Sequence, residues 1–227
     1  MTSLFKRSAV TAAALLLAAS AGVAQAQSAG SVVVRLGATQ IAPDVKSGDL
    51  TAPSLAGTKA DIKSDTQPTA GVTYFLTDQI ALDLPLAAGF KHDIVGDGAI
   101  AGTGKIGEVK ALPLTLLVQY RFGGAQAKIR PFVGAGPTYA RFYKARSTLA
   151  LSALTGGTPA NPTTLSIGSK WAPTVELGAG IELAPRLSLE ACVTKTFLKT
   201  RATLSTGQTL DATLDPLSVS VGVAWRF

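Results

Sequence analysis

The C-terminal run Leu217-Ser218-Val219-Ser220-Val221-Gly222-Val223-Ala224-Trp225-Arg226-Phe227 alternates strictly, bulky apolar residues at every odd position and small or polar ones at every even position. A period of two belongs to a β-strand whose faces meet two different environments. The pattern recurs at Ile80, Leu82, Leu84, Leu86, Ala88 and Phe90 against Ala81, Asp83, Pro85, Ala87, Gly89 and Lys91. It recurs again at Leu112, Leu114, Leu116, Val118, Tyr120 and Phe122 against Pro113, Thr115, Gln119 and Arg121. Eight segments read as strands: 31–41, 67–76, 79–91, 109–122, 128–142, 171–183, 187–199 and 214–227. Their connectors alternate long (42–66, 92–108, 143–170, 200–213) and short (77–78, 123–127, 184–186). An even strand number with tight turns at one end and long loops at the other predicts an all-β, eight-stranded antiparallel up-and-down transmembrane barrel, with short periplasmic turns and extended extracellular loops.

Charge content agrees with a membrane location: 15% of residues are charged, against the roughly 25% of soluble domains, and no stretch reaches the ~20 apolar residues of a spanning helix. Hydrocarbon offers no partner to an edge strand, so the sheet must close and the first strand must pair with the last. Pro68, Pro85, Pro113, Pro131, Pro137 and Pro173 fall within the strands and each removes a ladder donor, so bulges or local gaps are expected there. At the N-terminus, basic Lys6 and Arg7, apolar Ala9 to Ala19 and the small-x-small Ala24-Gln25-Ala26 form a secretory signal. The expected division is a cleaved leader, 1–26, and a barrel domain, 27–227, with export excluding a nucleic-acid partner.

If the apolar parity faces lipid, the other parity gathers Arg35, Asp83, Lys91, Arg121, Arg130, Glu176, Glu182, Glu190 and Arg226 inside. A basic residue facing lipid at mid-depth costs about 2–4 kcal/mol, so this segregation follows from the strands. These charges either neutralise one another in a packed interior or plug the periplasmic half of the bore, turning a solute entering from outside out through the wall. Tyr74, Tyr120, Phe122, Trp225 and Phe227 fall at the periplasmic ends of outward faces, and Phe90, Tyr139, Trp171 and Phe197 at the opposite ends, as two interfacial girdles. Loop 143–170 carries Leu149, Leu151, Leu154, Leu165 and Ile167 and either folds over the mouth as an entrance for apolar ligands or packs on itself.

No catalytic constellation, cofactor site or metal site is expected. Gly102-Thr103-Gly104-Lys105-Ile106-Gly107 spells the dinucleotide fingerprint but lies in a hairpin loop and opens no helix. His92-Asp93 has no second histidine and no nucleophile elbow, so His92 reads as a loop anchor. The single cysteine, Cys192, forms no internal disulfide and reads as a small buried residue.

The last strand with Leu214-Asp215-Pro216-Leu217 and Ala224-Trp225-Arg226-Phe227 resembles the C-terminus of the OmpW family of small outer-membrane barrels. Val34-Arg35-Leu36-Gly37-Ala38-Thr39, Ser64-Asp65-Thr66-Gln67, Tyr74-Phe75-Leu76-Thr77-Asp78-Gln79-Ile80, Phe90-Lys91-His92-Asp93-Ile94, Leu112-Pro113-Leu114-Thr115-Leu116, Gln119-Tyr120-Arg121-Phe122 and Arg130-Pro131-Phe132-Val133-Gly134-Ala135-Gly136 follow in the family's order. The resemblance implies a Gram-negative outer membrane, a narrow channel or binding conduit for small hydrophobic molecules, and insertion by the barrel-assembly machinery with Phe227 as the signal. It also implies a constriction by an inward Leu and a Trp. Pro85 and Trp171 stand at those positions, so the Leu is not kept, and the periodicity points Trp171 outward. The expected partners are outer-membrane lipid, the assembly machinery and small hydrophobic ligands or detergent, with the chain a monomer. Two other readings stay open: a structural, adhesive or receptor barrel acting through its loops, and a rim enzyme needing His92 beside a hydroxyl or carboxylate.

Overall fold

The structure, a computed structural model, describes residues 29–124 and 127–227; the leader expected over 1–26 lies outside them. In chain order the strands are β1 (Val32–Ala42), β2 (Lys46–Ser47), β3 (Thr58–Ile62), β4 (Asp65–Phe75), β5 (Ile80–Ala87), β6 (Phe90–Gly98), β7 (Lys105–Thr115), β8 (Leu117–Arg121) and β9 (Ile129–Ser147). A short helix, α1 (Leu149–Thr155), precedes β10 (Leu165–Ile167), β11 (Lys170–Ala184), β12 (Leu187–Thr196), β13 (Lys199–Leu204), β14 (Thr209–Thr213) and β15 (Leu217–Arg226).

The ladder closes on itself. β1 pairs with β4, β4 with β5, β5 with β8, β8 with β9, β9 with β11, β11 with β12, β12 with β15, and β15 returns to β1, all antiparallel. The first and last strands meet over ten residue pairs, from Val33 opposite Arg226 to Ala42 opposite Leu217, so the sheet has no edge to leave unpaired in hydrocarbon. Leu84, Leu114, Val118, Leu177, Val193 and Val221 are exposed on the outer face, while Asp83, Gln119, Arg121, Glu176 and Glu190 are buried inside. The apolar parity therefore faces out, the reverse of a soluble barrel.

Above the bilayer band the arrangement changes. The four segments expected as loops carry the whole of β2, β3, β10 and β14, most of β6 and β13 and the start of β7, so the wall rises well beyond the predicted strand ends. On the extracellular side it divides into β9-β7-β6-β3, continuous with the main sheet, and the separate sheet β10-β13-β14-β2. Leu50, Ile94, Ile106, Val109, Leu151 and Leu204 pack into an apolar core between them. Here apolar residues point in and polar ones out, which inverts the lower half. The strands were invisible to the alternation rule because the polarity of the two faces swaps partway along the same chain segment.

The helix explains the apolar content of loop 143–170. Thr148 caps it by accepting from the Leu151 amide, Gly156 ends it at φ 82°, and Leu151 is its buried apolar anchor, while Leu149 and Leu154 stay exposed. The Gly102–Gly107 fingerprint lies at the β6–β7 hairpin and the start of β7, with Gly102 and Gly104 at positive φ.

One stretch of wall has no ladder. β5 pairs with β8 from Ile80–Tyr120 to Asp83–Leu117, and β6 pairs with β7 from Phe90–Ala111 upward, but no pairing joins residues 84–89 to 112–116. Between the Ile80–Tyr120 and Phe90–Ala111 pairs the third strand advances ten residues and the fourth only nine. The extra residue is absorbed at Ala88-Gly89, where Gly89 takes φ 98°, and a one-residue slip exchanges the faces of everything beyond it. Two sequence expectations fail here for that reason. Phe90 is 1% exposed and points inward instead of joining a girdle, and Lys91 is exposed on the outer face instead of in the lumen. Pro85 and Pro113, which cannot donate to a ladder, both sit in the unpaired stretch. Pro68, Pro131, Pro137 and Pro173 keep their places in register.

Candidate functional site: an apolar cavity above an ionic floor

The floor begins with Arg35 on β1. Its Nη2 donates to Asp83 on β5 at 3.2 Å and its Nη1 to Glu190 on β12 at 2.8 Å. Glu190 accepts on its other oxygen from Arg121 Nη1 at 2.5 Å. Arg121 also donates through Nε and Nη2 to Gln119 Oε1 at 3.2 and 3.0 Å, and Gln119 Nε2 donates to Glu176 on β11 at 2.7 Å. Thr73 on β4 completes Asp83 with a 2.5 Å bond. Arg121 lies 4.5 Å from the Phe132 ring centroid and 5.3 Å from that of Phe75, within cation–π range. The layer thus ties together six strands and crosses the bore. Isolated charges in such an interior would cost several kcal/mol each, and the alternation of cation and anion with every contact a hydrogen bond is what allows it. Gly71 makes room: a Cβ there would meet the Arg35 guanidinium at 2.9 Å.

Below the layer, Arg130, Glu182 and Arg226 border a small periplasmic cavity of ≈ 20 Å³ with Arg121 as its roof. Arg130 Nη2 donates to the Asp78 carbonyl at 2.5 Å. Above it lies a cavity of ≈ 130 Å³ that ends downward on Arg35 and Glu176 and is walled by Phe90, Val109, Leu117, Phe142 and Leu198. A belt of hydroxyls surrounds this space. Thr115, Thr138, Thr174 and Thr196 form one chain with contacts of 2.8, 2.6 and 3.0 Å, and Thr69, Thr39 and Ser220 form another with contacts of 2.9 and 2.8 Å. Hydroxyls that satisfy one another offer little to a polar solute, so the belt adds few free polar groups to the apolar wall.

The unpaired stretch adjoins this cavity: Pro85, Ala87, Pro113 and Thr115, on the two sides of the break, all line it. At the top of the break, Tyr143 reaches across the fourth strand and its hydroxyl donates to the Ala88 carbonyl at 3.2 Å. His92, 4% exposed, faces the cavity. The Lys63 carbonyl accepts from His92 Nδ1 at 2.8 Å, so the proton sits on Nδ1, and burial holds the imidazole below its ordinary range against the opposing pull of Lys63 and Asp65. Asp93 lies on the other face and pairs with Lys105 at 2.7 Å.

The structure brings together five of the nine residues expected in the lumen, Arg35, Asp83, Arg121, Glu176 and Glu190, and places Arg130 and Arg226 just below with Glu182 exposed at the mouth. Pro85 lines the cavity, but Trp171 is 70% exposed on the outside, its ring 5.0 Å from that of Tyr139, and constricts nothing. It points outward because it is at odd parity on β11, opposite Tyr139. Tyr74, Tyr120, Phe122, Trp225, Phe227 and Phe197 are exposed on the outer face. The apolar lining residues Phe90, Val109, Phe142 and Leu198 escaped the alternation reading. Leu117 alone carried a signal, because Leu116-Leu117-Val118 is apolar on both faces. Cys192 is buried on the cavity wall. Among the described residues no group of three His, Cys, Asp or Glu side chains is placed to hold a metal ion.

The OmpW family profile matches residues 28–227. Outer membrane protein W of Vibrio cholerae is 29% identical over 221 residues, covering 94% of this chain and 96% of that protein. The dibenzothiophene metabolism operon protein PahQ of Pseudomonas aeruginosa is 26% identical over 197 residues, 85% of this chain and 87% of its own. The crystal structure of the outer membrane protein OprG from Pseudomonas aeruginosa superposes with a TM-score of 0.78 at 27% identity, over 89% of this chain and 98% of that one. With a closed eight-stranded barrel that turns its apolar side outward and a family match along the whole of the described chain, this protein belongs to the OmpW family of Gram-negative outer-membrane barrels.

Proposed function

We propose that the barrel is a conduit for small hydrophobic molecules, which enter from the extracellular side, occupy the cavity above the ionic floor and leave sideways through the wall between the third and fourth strands. The observation that carries this reading is the break at residues 84–89 and 112–116 beside the apolar cavity. Unpaired backbone groups at bilayer depth cost several kcal/mol apiece, a cost that a purely structural barrel has no reason to bear. The floor directs the route, since an apolar solute gains nothing by crossing a layer of buried ion pairs, whereas the acyl region beside the break dissolves it. The name of PahQ, with its reference to dibenzothiophene metabolism, fits an apolar aromatic cargo. On this reading Phe227, whose amide donates to the Val32 carbonyl at 2.8 Å, also serves the assembly machinery as a terminal signal.

Reconstituted vesicles test the conduit. The barrel is expected to speed entry of an apolar aromatic solute while planar bilayers show no large, steady pore. Pro85→Ala with Pro113→Ala returns two donors to the wall and is expected to slow that entry several-fold with the barrel still folded. Unchanged uptake in vesicles with and without protein would favour a barrel that acts through its loops, and a steady pore would contradict the floor.

A further inference from the structure

The outer rim is uneven in charge just above the extracellular girdle. Lys91 on β6 stands directly opposite Lys110 on β7, Lys110 opposite Tyr143 on β9, and Arg141 opposite Leu112. These positions share the outer face, because their neighbours His92, Val109 and Ala140 are buried inside. Side chains directly opposite are about 4.5–5.5 Å apart at Cβ and diagonal ones about 7–8 Å, so three cations occupy one patch, and like charges so placed repel. Lys91 is compensated: its Nζ lies 2.9 Å from Glu108, which Lys105 also reaches at 2.8 Å. Hydrogen bonds from Lys105 and then Lys91 hold the Glu108 carboxyl down to about 2. Asp93 is taken by Lys105 at 2.7 Å. Among the described residues no carboxylate lies within ion-pair distance of Lys110 or Arg141. On the opposite arc Arg201 is matched with Asp211 at 2.6 Å and Lys195 with Asp44 at 3.9 Å, while Lys46 and Lys199, each without an ion pair among the described residues, stand on either side of Thr213, two strand spacings or about 10 Å apart.

Arg141 is two residues above Tyr139 on the same face of β9, about 7 Å along the strand, which is headgroup depth for a ring anchored at the interface. Leu114 and Leu86 are exposed on the outer face below the patch. We propose that Lys110 and Arg141, with Lys91 at their edge, bind a phosphate group on the headgroup of an outer-leaflet lipid whose chains lie over Leu114 and Leu86. Arg141 supplies the two-pronged guanidinium contact and Lys110 the compact charge, and the anion removes the repulsion that the bare pair suffers. The site depends on the barrel's place in the outer membrane and not on solute passage, so either can fail without the other.

Native mass spectrometry of the full barrel in neutral detergent, titrated with bisphosphorylated lipid A, with its dephosphorylated form and with inorganic phosphate, tests the assignment. The bisphosphorylated lipid is expected to bind most tightly, and Lys110→Gln with Arg141→Gln to weaken it about tenfold, the loss of two charge-assisted contacts. Lys199→Gln, which removes an exposed cation from the other arc, leaves binding unchanged, and the charge-keeping pair Lys110→Arg with Arg141→Lys retains most of it. Heat-modifiable gel migration reports folding of each variant, and the single change Arg141→Gln stands in should the double variant not fold. Equal affinity for the phosphorylated and dephosphorylated lipids, equal loss with Lys199→Gln, or inorganic phosphate binding as tightly as the lipid overturns the proposal.

Discussion

Glu190 receives Arg35 on one carboxylate oxygen and Arg121 on the other, so a single side chain bridges two buried guanidinium groups from separate strands, with Asp83 supplying a second carboxylate to Arg35. Breaking a buried ion pair from one side costs more than the pair contributes, because the partner stays behind uncompensated. Glu190→Gln is therefore expected to destabilise the barrel by about 3–5 kcal/mol, read as the shift of a urea unfolding curve in detergent micelles. Lys91→Gln removes an ion pair whose lysine side chain is half exposed and is expected to change the same curve by about 0–1 kcal/mol. The contrast separates two residues that alternation alone placed in one lumen set. Asp83 and Glu190 were legible because the strand parity around them holds without interruption. Lys91 was not, because the slip at Ala88-Gly89 lies between it and the strand that defined its parity.

At the level of strands, the third one is two segments of opposite facing joined at Gly89. The glycine is required twice over: φ 98° disfavours any L side chain, and a Cβ there would collide with the Tyr143 hydroxyl. Gly89→Ala is expected to cost more than about 1 kcal/mol, and adding Tyr143→Phe, which removes the colliding hydroxyl, is expected to recover part of the loss; paired unfolding curves check both. The prolines announced some defect in the wall, since neither Pro85 nor Pro113 can complete a ladder. Which of the six prolines mark a gap depends on pairing across the sheet. Pro137 and Pro173 face each other within a continuous β9–β11 register, so a proline within a strand does not by itself open the wall.

Over the whole molecule, two polarity patterns share one cylinder: apolar outside and ionic inside at bilayer depth, apolar inside and polar outside above it. An exposed apolar residue thus means different things at different heights. Val221, 51% exposed on the outer face of β15, meets acyl chains, whereas Leu149, 67% exposed on α1, meets water. Val221→Arg is expected to lower stability in lipid bilayers by about 2–4 kcal/mol, while Leu149→Arg leaves it unchanged, as folding titrations into vesicles would measure. The same division accounts for the ≈ 130 Å³ cavity at the junction of the two halves, where the charged lining has ended and the apolar core has begun.

The alternation of side chains along each strand, together with the even strand number and the unequal connectors, was enough to determine a closed barrel with its apolar side in lipid, because hydrocarbon leaves a chain of that pattern no other way to satisfy its backbone. Only the tertiary structure decided where the wall is open, which cations are matched and how far the strands rise above the membrane. Those outcomes depend on register between strands distant in sequence, where one added residue exchanges inside and outside, and no periodicity along a single strand records its neighbour's count.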